Sequence, residues 1–171
     1  PEGLLFGSTG AHVELRRKLI DEFELLAIVS LPAGVFKPYA GVKTGVMIFR
    51  KPVDEAAKKI DKVWFYEVRA DGFDPDKITG GGRPETIERN DIPNLLEQWR
   101  EYKATNFRQP PGVAANTMLD AGSAGTRSWW ASLEASATND YNLAAGRYKP
   151  QISAEISDDD PVALTKEVLN I

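Results

Sequence analysis

At 171 residues the chain is long enough to bury a core as one domain with or without a tail, and its 42% apolar and 27% charged content excludes the disordered class. The lack of cysteine excludes disulfides and thiolate zinc sites, and a single histidine excludes a His-rich metal site. The formal charge of −4 at pH 7 lacks the basic surplus of a stand-alone nucleic-acid binder, so any nucleic acid is expected to be gripped elsewhere or by a partner subunit.

Leu4-Leu5-Phe6 reads as the end of a buried strand, and Gly7-Ser8-Thr9-Gly10 as a turn whose hydroxyls can cap a following helix. That helix is expected over 11–23, with Leu15, Leu19 and Phe23 in a stripe, Ile20 beside it, and Arg16, Arg17, Lys18, Asp21 and Glu22 mainly on the solvated side. Residues 25–31 are continuously apolar, the pattern of a central strand covered on both faces. A loop over 32–44 leads to a second buried strand at 45–50. A polar turn or short helix over 52–62 precedes a third strand at 63–68, rich in aromatic and β-branched residues. Together these predict one edge of an α/β sheet ending in an antiparallel hairpin.

The second half is looser. Gly80-Gly81-Gly82 marks a loop, without the spacing of a phosphate-binding turn. Asn90 or Asp91 is expected to cap a helix with Pro93 in its first turn and Leu95, Leu96, Trp99 and Tyr102 on its apolar side. Residues 109–127, rich in Pro, Gly, Ala and Ser, read as linker. A short strand is expected near 128–133, an irregular segment over 139–150, and a helix from Asp160 onward. No apolar run approaches the roughly 20 residues of a membrane helix, so no membrane partner is expected and a cytoplasmic location is the default.

The loop from Leu31 to Thr44 is the most informative stretch. It is long, it joins two buried strands, and it carries Phe36, Tyr39, Lys37 and Lys43 between Gly34, Pro38 and Gly41. Two uses fit these residues. An aromatic can stack on a base while a lysine meets a phosphate, or Phe36 and Tyr39 can simply pack back on the sheet. Elsewhere the plainer use is favoured: His12 as a surface or capping residue, Asp158-Asp159-Asp160 as a solvated run, and Trp129-Trp130 as packing. Asp140, Arg147 and Lys149, around Tyr141 and Tyr148, suit packing first and DNA-backbone contact second.

Six short pieces in a fixed order resemble the late motifs of the modification subunit of type I restriction–modification systems, the adenine-N6 DNA methyltransferase family. They are Pro1-Glu2-Gly3-Leu4-Leu5-Phe6; Leu31-Pro32-Ala33-Gly34-Val35-Phe36; Val42-Lys43-Thr44; Trp64-Phe65-Tyr66 with Ala70-Asp71-Gly72-Phe73; Asn90-Asp91-Ile92-Pro93; and Asn139-Asp140-Tyr141-Asn142-Leu143 with Arg147-Tyr148. The resemblance implies an α/β fold, the C-terminal portion of a Rossmann-like class I methyltransferase sheet with terminal strands and an antiparallel hairpin, plus a mostly irregular and helical extension. It implies methyl transfer from S-adenosylmethionine to the exocyclic amine of an adenine flipped out of the duplex. It places contact with that base or its DNA on Phe36, Lys37, Tyr39, Lys43 and Thr44.

The family's glycine-rich cofactor turn and its Asn-Pro-Pro-aromatic motif are absent from the 171 residues; Gln109-Pro110-Pro111-Gly112 has no aromatic and reads as linker. Together with Pro1 in place of an initiator Met, this leads us to expect a piece of a longer protein, with no catalytic, cofactor or metal residues of its own and no activity alone. The expected organisation is 1–70 as the end of the catalytic domain, 71–106 as a loop and helix packed on it, 107–127 as linker, and 128–171 as an extension contacting another subunit. The partners implied are DNA and a specificity subunit; whether a restriction subunit joins them stays open. Two alternatives stay open: a non-catalytic protein-interaction module of a DNA-modification complex, and an enzyme of another α/β family.

Overall fold

The computed structural model describes residues 1–53, 60–74, 76–77, 82–108 and 127–150. The expected terminal helix, nearly all of the linker and most of the 52–62 turn lie outside these residues. Among the described residues the order is α1 (Gly3–Phe6), α2 (Gly10–Glu22), β1 (Glu24–Leu31), β2 (Thr44–Arg50), β3 (Lys62–Glu67), β4 (Asp71–Phe73), β5 (Glu85–Asn90), α3 (Ile92–Ala104), β6 (Ser128–Ser132), α4 (Glu134–Ala137) and α5 (Ala145–Tyr148).

The chain is mixed α/β, and its main sheet has the strand order β2-β1-β3-β6. β1 pairs antiparallel with β2 and parallel with β3, and β3 pairs antiparallel with β6, so the sheet is mostly antiparallel. β3 does not follow β2 into a further hairpin; it crosses to the other side of β1. β4 and β5 form a separate two-stranded ribbon.

Strand periodicity builds two cores. On β3, Val63 and Phe65 face one cluster while Trp64 and Tyr66, with Val68 just beyond the strand, face the other, the alternation of a pleated strand. On β1 the alternation breaks. The register with β2 shifts between Leu25 and Ala27, and Leu26 and Ala27 both face the second cluster. One extra residue returns Ile28 to the first face beside Leu25.

Leu5 of α1, Leu143 and Ala145 cover the first face, with Phe65 stacked between Trp129 and Tyr148 at centroid distances of 5.6 and 5.3 Å. α3 covers the second, where Trp64 meets Trp99 and Tyr102 at 6.1 and 5.8 Å. Truncating the buried rings of Trp64, Phe65, Tyr102 or Trp129 is expected to cost about 3–5 kcal/mol. The paired tryptophans thus sit on opposite faces of β6 and serve packing.

Two local expectations are corrected. Gly3–Phe6 is a single helical turn, not a strand end: the amide of Gly7 donates to the carbonyl of Gly3 at 2.7 Å, and Leu5 is driven into the core. Arg16 is not solvated but 1% exposed, while Leu15 of the expected apolar stripe is 43% exposed. The buried face of α2 is the one carrying Arg16, Leu19 and Ile20. A guanidinium is tolerated there because Nε donates to the carbonyl of Tyr141 (2.8 Å), Nη1 to those of Leu4 (2.8 Å) and Gly7 (2.9 Å), and Nη2 to that of Asp140 (2.9 Å). Capping of α2 falls to Thr9, whose hydroxyl accepts from the amide of His12 and meets its ring at 3.0 Å.

Candidate nucleic-acid interface

β1 and β3 are the parallel pair, and both deliver their carboxyl ends to one side of the sheet, the side where open α/β sheets carry ligand crevices. Three pieces of chain meet there: the loop over residues 32–43, the start of β2, and the β4–β5 ribbon. A cleft of about 740 Å³ lies between Pro32 and Ala33 at the loop's first end and Asp71, Phe73 and Arg83 of the ribbon. Its charged lining comprises Arg69, Arg83 and Arg89 against Asp71, Asp74, Asp76, Glu85 and Glu88. That carboxylate excess disfavours a polyphosphate inside it.

The loop is braced by its own backbone. The amide of Lys37 donates to the carbonyl of Gly34 at 3.0 Å, and those of Tyr39 and Ala40 donate to that of Phe36 at 2.9 and 3.0 Å. Gly34 has φ +84°, and a side chain there would meet the stem of Lys37 at 3.0 Å, so the turn requires glycine. These turns leave Phe36 48% and Tyr39 95% exposed, with Lys37 half-buried between them in sequence. Neither ring packs back into the sheet.

Lys43 and Thr44 stand apart, at the foot of the loop. Thr44 opens β2 opposite Leu31, its hydroxyl 3.5 Å from the carbonyl of Val42. The Lys43 ammonium lies 3.3 Å from Glu2 Oε1, which also accepts from the hydroxyl of buried Ser30 at 3.0 Å. Beside them Glu67 ends β3. Burial raises its pKa, but the hydrogen bond and charge of Lys149, with Arg69 and Lys43 nearby, outweigh burial and hold it below the usual carboxylate value.

Contacts that the sequence reading did not foresee organise the ribbon. Arg83 and Asp71 form a forked ion pair, with side chains 7% and 10% exposed, and Arg83 Nη2 also donates to the carbonyl of Val35 at 3.0 Å. Asp91 does not cap α3 with its carboxylate. It accepts the amides of Arg69 and Ala70 at 2.8 and 3.0 Å and pairs with Arg127, while Asn90 takes the amide of Ile92 at 2.9 Å. Tyr66 donates to Asn94 at 2.8 Å, and burial with the nearby Asp91 charge pushes its hydroxyl up to about 12. No periodicity signals contacts so distant in sequence; only the clustering of Asp71, Gly72 and Phe73 in one motif pointed toward them. Among the described residues no group of His, Cys, Asp or Glu is placed to hold a metal ion.

A family model described as N-6 DNA Methylase matches residues 1–158. The chain is 42% identical over 67 residues to the type I restriction enzyme EcoEI methylase subunit of Escherichia coli, covering 39% of this chain and 12% of that protein. It is 38% identical over 74 residues to the EcoKI methylase subunit of Escherichia coli K12, covering 40% and 13%. A chain from a structural study of type I restriction–modification complex assembly superposes with TM-score 0.60 at 29% identity, over 99% of this chain and 31% of that one. The type I methyltransferase subunit from Streptococcus thermophilus shares the fold at TM-score 0.55 and 24% identity, over 88% and 25%. The matches thus span about an eighth of the curated relatives and a quarter to a third of these solved chains. Matched along nearly its whole length, the chain belongs to the N-6 DNA methylase family, within which it is similar to part of the type I methylase subunits.

Proposed function

We propose that this chain is the C-terminal portion of a Rossmann-like methyltransferase domain and supplies one wall of the site that receives a flipped adenine. In the whole protein the reaction is methyl transfer from S-adenosylmethionine to the adenine exocyclic amine. A duplex hides that amine, so the base must leave the stack and be met by exposed rings. The observation that carries this reading is the pair of solvent-facing aromatics, Phe36 and Tyr39, on a braced loop at the carboxyl ends of β1 and β3. Lys37 and Lys43 would meet flanking phosphates, with Thr44 at the foot of the same loop. The Lys43–Glu2 pair is half exposed on the lysine side, and such a pair contributes about 0–1 kcal/mol, little enough for a phosphate to displace Glu2.

Two carboxylates of the cleft are already engaged. Asp71 is committed to Arg83, and Asp74 to the amides of Asp76 and Lys77, so neither carboxylate is open to a cofactor hydroxyl or amine. This segment serves the DNA side of the reaction, and the methyl donor belongs to other parts of the protein. The partners that follow are DNA and a specificity subunit, in the cytoplasm; a restriction subunit stays an open alternative. Among the described residues no helix is long and apolar enough to cross a membrane.

The test is Phe36→Ala combined with Tyr39→Ala in the complete methylase. Stacking on a base contributes about 1–3 kcal/mol, so KM for DNA should rise roughly tenfold or more. An unchanged KM for DNA would remove the loop from the site.

A further inference from the structure

The loop bearing Phe36 and Tyr39 is gripped by a side chain from a remote part of the sequence. Arg83 donates Nη2 to the carbonyl of Val35 at 3.0 Å, one residue before Phe36. The same guanidinium forks onto Asp71, with Nη1 3.1 Å from Oδ1, and its carbon lies 5.4 Å from the ring centroid of Phe73. Asp71 and Phe73 belong to β4, whose start is tied to α3: the amide of Asp91 donates to the carbonyl of Ala70 at 2.8 Å, and the Asp91 carboxylate takes the amide of Ala70 at 3.0 Å. A continuous chain of polar contacts thus runs from the base of α3 through β4 and Arg83 to the loop. The planar fork lets Arg83 take both carboxylate oxygens of Asp71 while Nη2 also reaches the carbonyl of Val35; a lysine ammonium keeps the charge but not this bidentate geometry.

We infer that Arg83 is a positioning residue for DNA binding, one that sets the stance of Phe36 and Tyr39 before DNA arrives without touching DNA itself. This rests on the reading of the loop as a DNA contact. An exposed loop fixed in advance loses less conformational freedom on binding, and that saving appears as affinity. Removing the latch therefore weakens DNA binding through loop disorder rather than through a lost DNA contact.

The experiment uses the complete methylase and compares Arg83→Lys and Arg83→Ala with the Phe36→Ala, Tyr39→Ala double variant. Two quantities are read: amide hydrogen exchange over residues 33–40 without DNA, and KM for DNA against kcat. In Arg83→Lys, exchange in that stretch should accelerate about tenfold, the equivalent of one net hydrogen bond, and the loss should fall on KM more than on kcat. Arg83→Lys keeps a charge opposite Asp71 and so keeps the test decisive where Arg83→Ala unfolds. Wild-type exchange over 33–40, or a wild-type KM in a folded Arg83→Lys protein, overturns the inference. If the aromatic double variant raises KM while Arg83→Lys does not, Arg83 alone is misread. If the double variant is itself without effect, the loop is no DNA contact and both readings fall.

Discussion

The guanidinium of Arg16 reaches the carbonyl of Tyr141, 125 positions later in the chain, at 2.8 Å. Its other nitrogens hold the carbonyls of Leu4, Gly7 and Asp140, so one side chain ties α1, α2 and the turn after α4 together. Asp140 and Tyr141 both have positive φ, 50° and 53°, in the turn whose carbonyls Arg16 collects. Arg16→Leu strands those four acceptors, and Arg16→Lys can serve only some of them. An acceptor left unsatisfied costs about 1–3 kcal/mol, so four stranded carbonyls, partly rescued by water, are expected to cost about 3 kcal/mol or more together. Denaturant unfolding should show a loss of that size for Arg16→Leu and a smaller one for Arg16→Lys; a loss below about 1 kcal/mol for Arg16→Leu would contradict the role.

Gly72 offers a second test, independent of charge. Its φ is +87°, and a Cβ there would sit 2.8 Å from the side-chain nitrogen of Asn90, whose oxygen holds the amide of Ile92 at the start of α3. Gly72→Ala therefore combines backbone strain with a clash against a capping side chain. An L-residue in this region costs about 1–2 kcal/mol before any clash is counted. Thermal unfolding should register at least that cost, and Gly146→Ala, which meets open space, should not.

What the sequence could reveal follows from which forces leave a periodic trace. β1, β2 and β3 lie within a residue of their expected bounds because strand burial writes a pattern of period two or a continuous apolar run. α2 and α3 were visible through their caps and spacing. Gly3–Phe6 was misread because three consecutive apolar residues look the same in a strand end and in one helical turn. Arg16 lay on the buried face by spacing, beside Leu19 and Ile20, but its charge argued for solvent; the carbonyls that permit burial come from Leu4 and Gly7 and from the distant turn at Asp140 and Tyr141. The candidate loop was legible as a long connection rich in aromatics and lysines. Its latch was not, because Arg83 to Val35 is a contact across 48 positions with no local signature.

The isolated 171-residue chain is expected to give no binding heat with S-adenosylmethionine. On the proposed reading the methyl donor is held by other parts of the protein, and here Asp71 and Asp74 are already satisfied by Arg83 and by backbone amides. Titration calorimetry decides the matter: micromolar affinity for the cofactor would move part of the donor site into this segment.

The pairing of Glu67 with Lys149 sets a pH dependence with a definite sign. Burial raises the Glu67 pKa, but Lys149, Arg69 and Lys43 outweigh it, so the folded value lies below the unfolded one. A depressed carboxylate stabilises the fold fully above its unfolded pKa, about 4.3, and that contribution disappears as pH falls through the lower folded value. Stability should therefore decline more steeply below about pH 4.3 in the wild type than in Glu67→Gln, which has no proton to take up. The two curves should run parallel between about pH 5 and 7, where the wild-type carboxylate is ionised in both states. Because Lys149 follows α5 directly, the same acid step should also raise amide exchange in Ala145–Tyr148. Equal acid slopes for the two proteins would mean that this pair does not fasten α5 to the end of β3.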